Sequence, residues 1–460
     1  MKDQDDTICG LSTPFGRSGI AVVRVSGRDS HSLLSGIFRP RLKKIETASR
    51  TAVYGELIDP RDGERIDEAL ATCFFSPATY TGEDMVEISL HGNPVLVSLT
   101  LESLCFLGAR LAGPGEFTLR AFLHGKIDLA QAEAVRDIIE AETIFQARTA
   151  ARQKAGVLAQ QLRPLKETLI DIIVNLESTV EFVEDDLAPV SRKEIAGKIE
   201  EGRFQLQGWL RSYHQGRVVK DGFTMAVIGR PNVGKSSVFN KLLSKSRSIV
   251  TELPGTTRDM ISESLNIGGI PVHLQDTAGI HYSSDPVEKL GIDKSRQAIN
   301  DADAILLVID ISEKQTEQDF KIKEELGLLP RIVILNKTDL DSRWSAEEIN
   351  KFTEQWPYIR VSAKKGTGIE DLKSLILKKI LGSDTIATDG VLITNIRHYR
   401  HLDEADGFLA KAMGALRDGL SEEFVLADLH KCIDSLGQIT GETQVEDLLD
   451  QIFSRFCIGK

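Results

Sequence analysis

Apolar and polar positions change their rhythm three times along the chain. In the first quarter the rhythm is that of strands. Ile20–Val25 is a short β-branched run, Ala52–Ile58 and Ala69–Phe75 read as further strands, and Met85–Leu90 alternates residue by residue. Turn-forming clusters, Asp59-Pro60-Arg61-Asp62-Gly63 and Ser76-Pro77, separate them. Near Phe117 the texture changes. From Leu119 to about Gln215 proline and glycine are scarce, and apolar residues return at helical spacing: Leu129, Ala132, Val135 and Ile139, then Leu169, Ile172, Ile173 and Leu176. The pattern predicts long helices, with Pro164 and Pro189 as breaks. From Thr224 it becomes strand, glycine loop, helix, repeated. Met225–Ile228, His273–Gln275, Ile305–Ile309 and Ile332–Leu335 are apolar runs without alternation, as expected of strands buried on both faces of a mainly parallel sheet. Beyond about Leu381 the chain is again helical.

The fold class expected is therefore multidomain, α+β and α/β. An N-terminal α+β domain covers 1–118, a helical domain comes in two parts, 119–216 and 383–460, and an α/β domain at 217–382 is inserted between them. Such an insertion is tolerable because the ends of a compact domain often lie close together.

Composition narrows the function. The 460 residues carry a net charge of −12, which argues against a protein coated in basic surface for non-specific nucleic-acid or DNA binding but leaves room for a local basic patch. The start, Met1-Lys2-Asp3-Gln4-Asp5-Asp6, is acidic and has no apolar core of a signal peptide. Apolar runs such as Ala304–Ile309 fall far short of the ~20 residues of a membrane span, so a cytoplasmic protein without membrane contact is expected. Cys9, Cys73, Cys105, Cys432 and Cys457 are scattered and never spaced C-x-x-C, which suits free thiols. His398 and His401, three apart on an expected helix, read as plain helix surface and not as a metal site.

The chemistry lies in the inserted domain. Gly229-Arg230-Pro231-Asn232-Val233-Gly234-Lys235-Ser236 fits the phosphate-loop pattern G-x-x-x-x-G-K-[ST], followed by Ser237 at the start of an expected helix. Glycines let backbone N–H groups wrap phosphates, Lys235 would reach the β- and γ-phosphates, and the Ser236 hydroxyl would ligate Mg²⁺. Asp276-Thr277-Ala278-Gly279 ends a strand, where Asp276 can hold Mg²⁺ through water and the Gly279 N–H can meet the γ-phosphate. Asn336-Lys337-Thr338-Asp339 ends another; the Asp339 carboxylate would accept from guanine N1–H and the exocyclic amine, a pair adenine does not offer in that arrangement. Ser362-Ala363-Lys364 is placed to touch guanine O6 through backbone N–H. Four such segments in this order and spacing predict a Ras-like G domain that binds and hydrolyses GTP.

The hydrolytic machinery is less usual. Ras-like enzymes place a glutamine after the D-x-x-G glycine to orient the attacking water; here that position is Ile280. Glu288 is the nearest substitute, and a glutamate complementing a helix N-terminus is the alternative reading. Gly255-Thr256-Thr257-Arg258-Asp259 suits a first switch, with Thr257 as second Mg²⁺ ligand, and no arginine finger can be read off.

These motifs and others along the chain resemble the MnmE (TrmE) family of tRNA modification GTPases essentially end to end. The carriers are Thr13-Pro14-Phe15-Gly16-Arg17-Ser18-Gly19-Ile20 with Val23-Arg24-Val25-Ser26-Gly27; Tyr80-Thr81-Gly82-Glu83-Asp84; Gly113-Pro114-Gly115-Glu116-Phe117-Thr118; Lys126-Ile127-Asp128-Leu129-Ala130-Gln131-Ala132-Glu133; and the terminal Cys457-Ile458-Gly459-Lys460. The resemblance implies a homodimer joined through an N-terminal domain that binds a one-carbon tetrahydrofolate, 5-formyl- or methylene-tetrahydrofolate, with contacts at Arg24, Glu87, Lys126 and Lys460. Without it, Arg24, Glu87 and Lys126 read as surface salt bridges worth little. It implies a K⁺ ion held by Asn232 and by Thr251, Leu253 and Thr256 of the first switch, within a GTP site that also takes in Glu252, Pro254, Gly255 and Thr257. That K⁺ would supply the charge of an arginine finger, with Lys235 and Asn232 in the catalytic machinery and Glu288 orienting water. It implies a separate FAD-carrying partner, MnmG, in a heterotetramer or larger assembly. Together they act on C5 of the wobble uridine of tRNA and leave an aminomethyl or carboxymethylaminomethyl group. A role for Cys457 in that uridine chemistry is one reading of the terminal motif; a free thiol on the tail is the other.

Two other classes of function are weaker. A GTP-switch factor in ribosome assembly would need an RNA-binding module beside the G domain, and the sequence has no RNP-type aromatic strand, no basic-flanked G-x-x-G loop and no basic tail. A vestigial GTPase is at odds with intact Lys235, Asp276 and Asp339.

Overall fold

The computed structural model describes residues 6–41, 50–181, 191–244, 262–276, 299, 301–327, 329–354, 356–382, 391–442, 449, 452–454, 456 and 459. By contact density the chain divides into two units: Met1–Arg136 with Gln153–Gln160 and Gly437–Lys460, and Asp137–Arg152 with Gln161–Leu436.

In the first unit, strands β1 (Ile8–Leu11), β2 (Ser18–Ser26), β3 (Phe38–Pro40), β4 (Ala52–Ile58), β5 (Arg65–Phe74), β6 (Met85–Gly92) and β7 (Arg110–Leu111) form, among the described residues, a seven-stranded sheet. The order is β3-β4-β5-β6-β2-β1-β7, antiparallel except for β1 with β7. Burial alternates along β4 and β5 as a sheet with one packed face requires. Helices α1 (Ser30–Ile37) and α2 (Pro94–Phe106) cover that face, closing a core of Val23, Val25, Leu34, Ile88 and Leu104. The alternate residues, Arg24 and Glu87 among them, fall on the other face. Helices α3 (Glu116–Leu123) and α4 (Leu129–Glu140) follow. Phe122, Leu129, Ala132 and Val135 bury against Leu449, Phe453 and Phe456, so the end of the chain packs with its first third. Ile139, expected on the same apolar stripe, is 43% exposed: the cluster that covers the first three positions stops short of it.

The second unit holds α5 (Ile144–Lys154), α6 (Val157–Glu181), α7 (Arg192–Asp221), α8 (Lys235–Ser244), α9 (Glu317–Glu325), α10 (Ala346–Thr353), α11 (Ile369–Leu381), α12 (Ile396–Arg417) and α13 (Glu422–Thr440), the division cutting α5, α6 and α13 near one end. The expected break at Pro164 does not occur, since α6 runs through it. Leu162, Leu165, Leu169, Ile172, Ile173 and Leu176 all bury along one stripe, and burial at about 1.5–3 kcal/mol per large side chain outweighs the ~3 kcal/mol that an interior proline costs. Pro189 lies outside the described residues. Arg203 on α7 pairs with Asp406 on α12 at 2.9 Å, and Gly216 is required there: a β-carbon would stand 2.0 Å from the Ile393 carbonyl oxygen. His398, expected on a helix surface, is buried instead, its Nε2 accepting from the Arg397 guanidinium at 3.1 Å.

The inserted sheet contains β8 (Phe223–Ile228), β9 (Ser262–Ile267), β10 (Ile270–Asp276), β11 (Ala304–Asp310), β12 (Arg331–Asn336) and β13 (Tyr358–Arg360). Among the described residues its order is β13-β12-β11-β8-β10-β9, parallel except for the β9–β10 hairpin. Every residue of β11 and β12 is buried, which is why these strands carry no alternation. The segment before α5 docks on the hairpin: the Thr143 hydroxyl donates to the Gly269 carbonyl at 2.7 Å, and the Ser264 hydroxyl donates to Glu142 at 2.6 Å.

Candidate functional site

The topology turns at β8. The chain passes from β8 to β10 on one side and later to β11 on the other, so a crevice opens at the carboxyl ends of these strands, where doubly wound sheets bind ligands. The phosphate loop fills that position. It leaves β8 at Ile228 and enters α8 at Lys235. Asp276 closes β10 as the register partner of Val227, and Asn336 closes β12 as the register partner of Asp310.

The local geometry explains the glycine spacing. Gly234 has φ +96°, and a β-carbon on it would stand 2.4 Å from the Asn336 amide nitrogen. Asn232 sits at φ +64°, in the left-handed region that asparagine tolerates better than most residues. The Lys235 ammonium lies over the loop, donating to the carbonyls of Gly229 at 2.8 Å and Arg230 at 3.0 Å. Ser236 and Ser237 are exposed in the first turn of α8, whose free N–H groups and positive dipole end favour an anion.

The base-side motifs are knitted to this loop. Asn336 is buried; its amide donates to the Val233 carbonyl at 2.8 Å and its side-chain oxygen accepts from the Ala363 N–H at 3.1 Å. One asparagine therefore joins the phosphate loop to the Ser362-Ala363-Lys364 segment. The Ser362 hydroxyl donates to Asp339 Oδ1 at 2.7 Å and accepts from the Lys365 N–H at 3.1 Å. That bond holds the Asp339 carboxyl below the usual range, so the acceptor stays ionised. Lys364 is exposed beside it. Lys337 pairs with the buried Asp310 at 2.5 Å. Burial pushes the Asp310 carboxyl up, but Lys337 and two bonds from Ser312 together hold it below its ordinary value. Asp310 and Ser312 did not stand out as site residues in the sequence. Their signal is an aspartate closing the apolar run Ile305–Ile309 in register with Asn336, legible only once β11 and β12 are known to be neighbours.

On the N-terminal sheet, Arg24 and Glu87 are register partners on β2 and β6. The guanidinium donates to Glu87 at 2.7 and 3.1 Å and lies 5.3 Å from the Tyr80 ring centroid and 5.6 Å from that of Phe117. Lys126 donates to the Pro77 carbonyl at 2.8 Å. Gly459 reaches the same sheet: its carbonyl accepts from the Ser12 hydroxyl at 2.9 Å, and its Cα stands 3.5 Å from where a β-carbon on Gly10 would be, opposite Arg24 on β1. Thr251, Glu252, Leu253, Pro254, Gly255, Thr256, Thr257, Thr277, Ala278, Gly279, Glu288, Cys457 and Lys460 lie outside the described residues. Among the described residues no three His, Cys, Asp or Glu side chains gather as a metal site, and no helix is long and apolar enough to cross a membrane.

Known proteins match nearly the whole length of the chain. The family model of the GTP-binding protein TrmE N-terminus matches residues 7–126, and that of the MnmE helical domain matches residues 129–457. The tRNA modification GTPase MnmE of Koribacter versatilis is 43% identical over 457 residues, covering 99% of each chain. That of Aquifex aeolicus is 42% identical over 456 residues, covering 99% of this chain and 100% of the relative. The solved G domain of the T. maritima FeoB iron transporter is 27% identical over 35% of this chain and 97% of that one, with a TM-score of 0.27. With full-length relatives at this identity and both family models in place, the chain belongs to the MnmE family of tRNA modification GTPases.

Proposed function

We propose that this GTP hydrolase runs a K⁺-dependent cycle, switched on when the two G domains of a cytoplasmic homodimer meet. In concert with an MnmG-type FAD protein, in a heterotetramer or larger assembly, it installs an aminomethyl or carboxymethylaminomethyl group at C5 of the wobble uridine of tRNA, taking carbon from 5-formyl- or methylene-tetrahydrofolate. The observation that carries the nucleotide half is Asn336, which ties the phosphate loop to the segment beside Asp339 at the carboxyl ends of parallel strands.

The chemistry of the residues supports the roles proposed for them. Lys235 and the first-turn amides of α8 would neutralise the charge that builds on the β- and γ-phosphoryl oxygens, and Asp339 would select guanine. Ser236, exposed in that first turn, with Thr257 would ligate Mg²⁺, and Asp276 would hold it through water. Asn232, exposed on the shoulder of the loop at φ +64°, would offer its side-chain oxygen to K⁺ beside Thr251, Leu253 and Thr256. Glu288 would orient the attacking water in place of Ile280. On the other unit, a guanidinium lying near two rings and paired with a carboxylate suits a planar polar heterocycle, which supports Arg24 and Glu87 as tetrahydrofolate contacts with Lys126 and Lys460.

The proposal is tested on tRNA from cells lacking this chain: the C5 group of the wobble uridine is expected to disappear and to return with the wild-type chain, and unchanged nucleosides would end the proposal. Two measurements on purified protein address its parts. GTP turnover is expected to be at least about tenfold faster in K⁺ than in Na⁺; equal rates would remove Asn232 as a cation ligand. Arg24→Ala is expected to weaken tetrahydrofolate binding by about tenfold or more, the loss of a charge-assisted contact, with GTP binding measured alongside as the check on folding. Undiminished folate binding would show that its site lies elsewhere.

A further inference from the structure

We infer that Asp310 is a positioning residue of the guanine site: it fixes Lys337, and through Lys337 the turn that presents Asp339 to the base. This deepens the nucleotide reading above and rests on it.

Asp310 closes β11 beside Asn336, its register partner at the end of β12, so it stands next to the turn Asn336-Lys337-Thr338-Asp339. It is 1% exposed. Oδ1 accepts from the Ser312 N–H at 2.9 Å and the Ser312 hydroxyl at 2.6 Å, and Oδ2 meets the Lys337 ammonium at 2.5 Å. With both oxygens engaged, the carboxylate has a single orientation. A buried carboxylate would be costly if left unpaired, and here the lysine of the turn is its cation.

The turn needs such a hold. Lys337 has φ +65°, a left-handed conformation that a residue with a β-carbon keeps only where its surroundings impose it. The backbone contributes part: the Leu340 N–H donates to the Lys337 carbonyl at 3.0 Å, and the Ile311 N–H donates to the Asn336 carbonyl at 3.3 Å. The Lys337–Asp310 pair fixes the side chain. Asp339 follows two residues later and is itself held by Ser362, so a Lys337 that left this conformation would shift the carboxylate against its serine and against the base. A role confined to sheet stability would lower the melting temperature without linking Asp310 to Lys337 in nucleotide affinity.

The test is a double-mutant cycle in the full-length chain, with GDP and GTP affinity, steady-state turnover and thermal unfolding measured together. Asp310→Asn keeps the shape and removes the charge; Lys337→Met keeps the stem and removes the cation. Each single substitution is expected to weaken GDP and GTP binding roughly tenfold, with KM rising by more than kcat falls. The double substitution should be no worse than the weaker single one, the non-additivity of residues that act as a pair. Ser312→Ala, a milder change, is expected to weaken binding about threefold beside Lys337 and not at all beside Met at that position, which keeps the test decisive should Asp310→Asn fail to fold. Wild-type affinity in Asp310→Asn or Ser312→Ala, or losses that multiply in the double variant, would overturn the inference alone. A wild-type chain without preference for guanine nucleotides would overturn the reading beneath it.

Discussion

Replacing Asp339 by asparagine is expected to weaken GTP binding by roughly 10³–10⁴-fold and to transfer preference to xanthosine triphosphate. Guanine presents two donors side by side, N1–H and the exocyclic amine, and an ionised carboxylate accepts both. Asparagine replaces one acceptor with an NH₂ donor. Donor then faces donor at the amine, and two polar groups withdrawn from water are left unpaired, the situation in which a site built for a hydrogen bond rejects its ligand most strongly. Xanthine carries a carbonyl where guanine carries that amine, so it restores the match. The surroundings favour a clean exchange: the Ser362 hydroxyl that now donates to Asp339 Oδ1 at 2.7 Å can donate equally to an asparagine oxygen. Competitive displacement of a labelled nucleotide by GTP and XTP measures both changes. GTP affinity within about threefold of wild type would place the selection of the base at another residue.

Gly234→Ala is expected to weaken GTP and GDP binding by about thirtyfold or more while leaving the chain folded. Two effects add. The position has φ +96°, where a β-carbon costs about 1–3 kcal/mol. That carbon would also stand 2.4 Å from the Asn336 amide nitrogen. Asn336 must then give up its bond to the Val233 carbonyl, and a buried polar group left without its partner costs about 1–3 kcal/mol. At 1.4 kcal/mol per tenfold, the sum spans roughly one and a half to four decades of affinity. The strain sits in a loop that carries no strand pairing, so circular dichroism should stay that of the parent. Near-normal affinity would mean that the loop adapts and that Asn336 is not the tie between phosphate and base segments.

The inserted sheet was legible because its physics is simple. Strands buried on both faces must be apolar at every position, and β8, β11 and β12 begin and end within two residues of the runs Met225–Ile228, Ile305–Ile309 and Ile332–Leu335. Each motif then falls at a strand end, where chain direction alone dictates the place. What the sequence hid depends on partners distant along the chain. β1, at Ile8–Leu11, has its meaning only through β2 and β7. The pairing of Asp310 with Lys337 needs the β11–β12 register. The contact of Ser12 with Gly459 spans 447 residues. Pro164 and His398 mislead for a related reason: local preference reads proline as a helix end and a lone histidine as surface, whereas burial of the surrounding helix decides both. The Arg24–Glu87 pair stands between these cases. Its register is visible once β2 and β6 are neighbours, but its rings, Tyr80 and Phe117, come from separate segments that no periodicity connects.

Everything proposed for the nucleotide half depends on a purine being chosen by Asp339 while Lys235 and the loop amides hold its phosphates. The most direct test is equilibrium binding of GTP and ATP to the purified full-length chain, under the same Mg²⁺ and K⁺ concentrations. GTP is expected to bind at least about 10³-fold more tightly. Equal affinity, preference for ATP or binding of neither would contradict the account.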